Sequence, residues 1–262
     1  MMHSAALACP AGAAFLEEQM RITYLDNSGF AVEMKKSLLL FDYYNHYADG
    51  GREGFSGGVA EEAAFRKAER VYIFVSHRHY DHFNRIIFNF AQWNPDTAYI
   101  LDAGIFRVPA GLNAHRLIKG EVFDDGYLRV RAHPSTDIGV SFQIETEGKT
   151  LFHAGDLNCW HWAGDVPAEE EAGYRALFAK ALAAIQPCMR RPDVVFFPVD
   201  ARLKGPYDDG ALEFIEAFRP RLFIPMHFQQ NFAAAEKFAA KAADGQKIWV
   251  PARRGDSLSL EE

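Results

Sequence analysis

Three features of this 262-residue chain predict an α/β fold. Short runs rich in β-branched and aromatic residues alternate with stretches of helical spacing in both halves of the chain. Several of those runs end directly in charged or metal-ligating residues, as strands do in open α/β sheets, where sites collect at the carboxyl ends. Turn-forming groups such as Asp124-Asp125-Gly126 and Glu147-Gly148-Lys149 divide the middle of the chain into hairpins.

Taken in order, residues 1–20 read as an N-terminal tail and residues 21–262 as one domain, a length that a single core can serve. The tail carries Ala6-Leu7-Ala8-Cys9, which is similar to a lipoprotein cleavage site but lacks the basic start and the apolar segment that such a signal needs. Strands are expected at 21–26 and 30–34 around the turn Asn27-Ser28-Gly29, and a third at 37–42. Asp42, at its end, is expected as a turn or supporting residue rather than a ligand. The loop 43–58, with Tyr43, Tyr44, His46 and Tyr47 before two glycine pairs, is either a substrate lid or a plain surface loop. A helix over 61–69 leads to the buried strand 71–75. A second helix starts near Phe83, Trp93-Asn94-Pro95 stops it, and a strand follows at 98–101. Beyond the hairpins come a strand at 139–144, one ending at Asp156, a helix at 169–185 and a strand at 193–197. A helix at 209–218, a strand at 222–225, a helix at 232–243 and a closing strand at 247–250 complete the chain.

About half the residues are apolar (49%) and a quarter charged (24%), which is ordinary globular composition. A formal net charge of -7 argues against a surface that gathers nucleic-acid phosphates, so no nucleic-acid partner is expected. Cys9, Cys159 and Cys188 are odd in number and far apart, which fits a reducing cytoplasm rather than a disulfide framework. No stretch is long and apolar enough to span a membrane.

The chemistry concentrates in Ser76-His77-Arg78-His79-Tyr80-Asp81-His82, directly after Val71-Tyr72-Ile73-Phe74-Val75. His77 and His79 can point one way while Asp81 and His82 turn towards a second point, so one loop can serve two metal ions side by side. His-x-His-x-Asp-His after a strand resembles the first metal motif of the metallo-β-lactamase superfamily. Two later motifs fit the same resemblance: Gly155-Asp156 closing the strand from Leu151, and His227 closing the strand from Phe223. The similarity runs from about Arg21 to about Pro251. It implies a four-layer αββα sandwich, helices outside two facing sheets with the ligands at one shared edge. His77, His79 and a middle-loop ligand would hold one ion, Asp81, His82 and His227 the other, and Asp156 would bridge them.

The middle ligand departs from the pattern. The resemblance implies a histidine in the loop His133-Pro134-Ser135-Thr136-Asp137-Ile138, but Ser135 or Thr136 stands there. Asp137, His133 or neither compensates, with Asp137 favoured. An oxygen donor in place of nitrogen shifts the preference from zinc, the expected metal, towards manganese or iron. Behind the ligands, His161 is expected to back the site or give a proton to a leaving group, and Asp200 and Arg202 to orient substrate or a metal-bound histidine. Trp160 and Trp162 are expected to wall the site, His153 to be an interior histidine, and Cys159 has no paired base that would make it a nucleophile.

The resemblance implies hydrolysis by a metal-activated water of a small-molecule ester, lactone, amide or phosphoester, with Asp81 and Asp156 as the catalytic carboxylates. Two alternatives belong to other classes: a di-iron redox protein on the same fold, and a non-catalytic or regulatory metal-binding protein with an altered site. The residues name neither the substrate nor the oligomeric state.

Overall fold

A computed structural model describes residues 20–242 and 245–261 of the chain. The tail expectation and Cys9 lie outside the described residues, and the first strand already begins at Met20.

The first half builds β1 (Met20–Asp26), β2 (Gly29–Glu33), β3 (Ser37–Phe41), α1 (Glu62–Lys67), β4 (Arg70–Val75), β5 (Thr97–Asp102) and β6 (Asn113–Leu117). Three hairpin strands follow, β7 (Val122–Asp124), β8 (Leu128–Pro134) and β9 (Val140–Thr146), and then β10 (Lys149–His153). The second half continues with α2 (Ala168–Ile185), β11 (Val194–Pro198), α3 (Asp209–Phe218), β12 (Leu222–Met226), α4 (Phe232–Ala242) and β13 (Ser257–Leu260). One sheet runs β13-β1-β2-β3-β4-β5-β6 and the other β12-β11-β10-β9-β8-β7.

Alternation along the strands decides the layers. On β4, Tyr72 and Phe74 face the second sheet, where the Phe74 ring lies 5.5 Å from that of Phe142. Val71, Ile73 and Val75 point the other way, into a cluster with Phe65 of α1 and with Phe88 and Phe90. A strand buried on both faces has no polar face to show, hence the uninterrupted apolar run. On the second sheet Phe152 and Phe197 pack against Phe214 of α3, and Phe223 against Phe238 of α4. The result is the αββα sandwich. The sheets meet through aromatic side chains such as Phe30 on Phe196, with centroids 4.5 Å apart.

Within each sheet the site-bearing strands are parallel: β3 with β4, β10 with β11, and β11 with β12. Parallel strands end on the same side, so both sheets deliver their carboxyl ends to one edge.

Two expectations change. The segment after the histidine cluster is a 3-10 helix, Arg85–Gln92, capped by the Asn84 side chain accepting from the Ile86 N–H at 3.0 Å. The preceding residues are committed to a turn in which the His82 and Phe83 amides donate to the His79 carbonyl, and this delays the helix. The expected closing strand at 247–250 reduces to a single bridge between Ile248 and Phe223, while the true closing strand is β13, antiparallel to β1 in the other sheet. Pro251 stops the first candidate, and Ser257-Leu258-Ser259-Leu260 carries the two-residue alternation that a half-buried edge strand needs.

Candidate metal centre

The site is assembled from loops at the ends of β3, β4, β10, β11 and β12 and from the turn between β8 and β9. After β4 the chain runs through Ser76, whose carbonyl accepts from the Val140 amide at 3.1 Å. Gly139 and Gly155 press against it: a Cβ on Gly139 would stand 2.2 Å from the Ser76 carbonyl oxygen, and one on Gly155 would stand 2.7 Å from the Ser76 Cβ. Both glycines have positive φ (81° and 54°), so no other residue fits without strain.

This clamp fixes a chain of hydrogen bonds. Asp42, fully buried at φ 39°, accepts from the Ser76 amide (2.7 Å), the Ser76 Oγ–H (2.6 Å) and His82 Nδ1 (2.7 Å). Ser76 Oγ, having given its proton to Asp42, accepts from His77 Nδ1 at 3.0 Å. Asp200 accepts from His227 Nδ1 at 3.0 Å and is itself gripped by the Arg202 guanidinium. In each of His77, His82 and His227 the outer nitrogen thus carries the proton, and Nε2 presents a lone pair to the site.

Those lone pairs converge on Asp156. His77 Nε2 is 3.3 Å from Asp156 Oδ2, and His82 Nε2 and His227 Nε2 are 3.1 and 3.4 Å from Asp156 Oδ1. His79 Nδ1 lies 2.9 Å from His77 Nε2 and 4.0 Å from Asp137 Oδ2. Asp81 Oδ2 is 3.6 Å from His227 Nε2 and 3.9 Å from His82 Nε2, and Asn27 Nδ2 donates to it at 3.2 Å. His77, His82 and Asp156 form one group spaced as metal ligands are, as do Asp81, His82 and His227, and His79, Asp137 and Asp156.

A cation fits this arrangement. His82 Nε2 and Asp156 Oδ1 are buried and make no hydrogen bond, although they lie 3.1 Å apart. Two electron-rich buried atoms left facing each other cost several kcal/mol unless a positive charge lies between them. The field has the right sign. Burial disfavours a charged His82, yet Asp156 and Asp42 outweigh it and hold that imidazole well above its ordinary value. Burial likewise opposes the charge of Asp156, and His82 and His227 overcome it, keeping the carboxyl well below its usual range. A proton and a metal ion compete for the same lone pair here.

The remaining expected residues separate cleanly. Asp137 reaches the cluster from an exposed turn, whereas His133 is buried on β8 with Nε2 at 2.9 Å from Gln143 Oε1, outside the ligand groups. His161 is fully buried with both ring nitrogens on backbone, Nε2 on the Pro206 carbonyl (3.1 Å) and Nδ1 on the Ala163 amide (3.0 Å). Its ring proton is thus held at Nε2 by the Pro206 carbonyl. His153 is an interior histidine, its Nε2 on the Ser28 carbonyl at 2.9 Å and its ring stacked on Phe41. Burial pushes the Cys159 thiol up to about 11, where it is no nucleophile. Asn27 and Ser76 were not singled out from the sequence. Asn-Ser-Gly reads as a turn and a lone serine before histidines reads as nothing, so only the fold gives them a role.

The cleft over this cluster encloses about 440 Å³, with Tyr80, Trp160, Trp162 and Tyr174 around Asp81, Asp156 and His227. Trp160 is fixed by its Nε1–H on the Asp156 carbonyl (2.8 Å) and stands edge-on to His227. Trp160 and Trp162 line the cleft as expected, while the loop 43–58, one reading of which is a substrate lid, does not. Tyr43 and Arg254 tie down the latter: Tyr43 Oη accepts from the Ala60 amide and the Arg254 guanidinium donates to the Gly58 carbonyl.

Known proteins share the family and the fold of this chain. The model of the beta-lactamase superfamily domain matches residues 60–228. A UPF0173 metal-dependent hydrolase of Opitutus terrae is 27% identical over 247 residues, covering 85% of this chain and 92% of its own. One of Pelotomaculum thermopropionicum is 23% identical over 263 residues, covering 92% and 100%. Among solved structures, Igni18, a metallo hydrolase from the archaeon Ignicoccus hospitalis, superposes with a TM-score of 0.65 at 17% identity over 93% of this chain and 99% of that one. CmlA, a diiron β-hydroxylase from Streptomyces venezuelae, does so at 0.63 and 13%, over 94% of this chain and 54% of that one. At such identities the structures speak for the fold.

Proposed function

Because the chain belongs to the beta-lactamase superfamily, we propose that it is a metal-dependent hydrolase of a small-molecule ester, lactone, amide or phosphoester. The observation that carries this reading is the pair of unsatisfied buried atoms, His82 Nε2 and Asp156 Oδ1, at the point where three lone-pair-bearing imidazoles converge. His77, His79, Asp137 and Asp156 would hold one divalent ion and Asp81, His82, His227 and Asp156 the other, with zinc the first assignment. Such ions supply Lewis acidity and a water acidified towards neutral pH.

The chain's own groups do the rest. Asp156 faces His77 through Oδ2 and His82 and His227 through Oδ1, so it would serve both ions. Asp81, its carboxylate fixed by Asn27, orients the attacking water and takes up its proton. Asp42 and Asp200 keep the imidazoles in the tautomer that leaves Nε2 bare. Trp160, Trp162 and Tyr174 exclude bulk water and seat the apolar part of a substrate. A di-iron centre is the second reading, favoured by Asp137, which brings a carboxylate where the family resemblance implies a histidine. We place the protein in the cytoplasm, in keeping with its free, widely spaced cysteines Cys159 and Cys188.

Elemental analysis of gently purified wild type, Asp137→Ala and His133→Ala tests the site, alongside a panel of p-nitrophenyl esters, lactones and phosphodiesters. Two metals per chain are expected, falling towards one only in Asp137→Ala, with turnover of at least one ester class. No metal and no turnover would defeat the hydrolase reading, and stoichiometric iron with colour would favour the di-iron one.

A further inference from the structure

A second cleft of about 500 Å³ adjoins the metal cleft and shares Thr136 and Asp137 with it. Its floor is the face of α2 that carries Leu177, Ala181 and Ala184, the same helical stripe that begins with Tyr174 inside the metal cleft. The spacing 174, 177, 181, 184 keeps these side chains on one side of the helix. Leu177 is 54% exposed, a large apolar side chain that the fold leaves in solvent.

Around this floor stand three cations, Lys119, Arg131 and Lys180. Among the described residues none of their side chains makes a hydrogen bond or ion pair, although the chain as a whole is acidic at -7. Arg131 is also half-buried on β8, at the edge of this cleft. Burial and the neighbouring Arg131 both push His133 below its ordinary value, so His133 adds no fourth charge. Lys180 lies six residues beyond Tyr174, about 9 Å along the helix at 1.5 Å per residue.

Resting on the hydrolase reading, we propose that the substrate is an elongated amphipathic ester with an anionic far end: the scissile group at the metal cluster, an apolar stretch along Leu177, Ala181 and Ala184, and a terminal carboxylate-class anion held by Arg131, Lys119 and Lys180. The continuity of the two clefts favours a substrate over a protein partner. The stripe starts in the cleft that holds the candidate metal ligands and continues beside the three cations.

The test uses zinc-loaded full-length protein with two esters of equal chain length, p-nitrophenyl octanoate and the p-nitrophenyl half-ester of suberate. The half-ester is expected to show about tenfold higher kcat/KM, the scale of one charge-assisted contact. That ratio is expected to fall to near one in Lys119→Gln/Arg131→Gln/Lys180→Gln and to survive in part in Arg131→Lys. Should the triple variant fail to fold, Lys119→Gln/Lys180→Gln, both at exposed positions, is expected to lower the ratio severalfold. Equal rates in wild type, or a preference that persists in the variants, would overturn the proposal. So would a concentration-dependent dimer in size-exclusion that Leu177→Lys dissolves, since the stripe would then be an interface. If neither ester is cleaved, the hydrolase reading falls by itself. Calorimetric titration of suberate against octanoate then decides the anion site: tighter suberate binding lost in the triple variant supports it, and equal binding refutes it.

Discussion

Asp200 shows how one residue behind the ligands governs those in front. Burial favours its neutral acid, but hydrogen bonds from His227 and Arg202 prevail and set the carboxyl at about 2. A group whose value is depressed on folding stabilises the protein above its unfolded value, and that contribution fades as pH falls through the folded one. Here the full effect, about 2 kcal/mol, is present at neutral pH and disappears between about pH 4 and pH 2. Urea unfolding of wild type and Asp200→Asn is therefore expected to give a gap at pH 6 that closes as pH approaches 2.5. A gap independent of pH would mean that the Asp200 charge does not contribute. At neutral pH the same variant is expected to bind the ion at His227 about 10 to 100 times more weakly, as losses behind a metal-bound histidine do, checked by competition with a chelating dye.

At the scale of elements, the loop after β4 is held between two other turns rather than by its own helix. Gly139 and Gly155 approach Ser76 so closely that any side chain must displace the segment bearing His77. Gly139→Ala is expected to cost about 2 kcal/mol or more and to lower the melting temperature and metal content together, because strain and overlap act at the same point. A variant that loses stability while keeping its metal would separate clamp from site. The same element explains what could and could not be read from the sequence. His77, His79, Asp81 and His82 are legible because four metal-ligating side chains stand within six consecutive positions. The Asp42–Ser76 bond spans 34 positions, and it becomes visible only when β3 and β4 lie side by side in parallel register. The 3-10 helix escapes periodicity analysis because its apolar residues Ile87, Phe88 and Phe90 satisfy a helical count equally well. The α/β class is legible from alternating strands and helices and the αββα layering from the family resemblance, while the antiparallel addition of β13 to β1 is not, since nothing local in Ser257–Leu260 names its partner.

At the scale of the whole molecule, the proposed ions are cross-links between sheets. Ligands from the end of β4 belong to one sheet, and Asp156 and His227 to the other. The ions would add to an aromatic core that already joins the sheets, as Phe30 on Phe196 does, and to polar contacts such as the His227 amide on the Asn27 carbonyl at 3.1 Å. An ion present at a thousand times its dissociation constant adds about 4 kcal/mol. For a domain of this size that is roughly 10 °C in melting temperature. Dialysis against a chelator is expected to lower the transition by about that much and zinc to restore it, read by scanning calorimetry; an unchanged transition would show that the sheets do not depend on metal.

This division of ligands also sets a timetable. During synthesis the histidine cluster leaves the ribosome long before β12 and His227. Until then a nascent chain would offer only part of the candidate ligand set, without His227. Firm capture of a second ion, on the proposed reading, would therefore report that the polypeptide has closed on itself, a quality check written into the order of its residues.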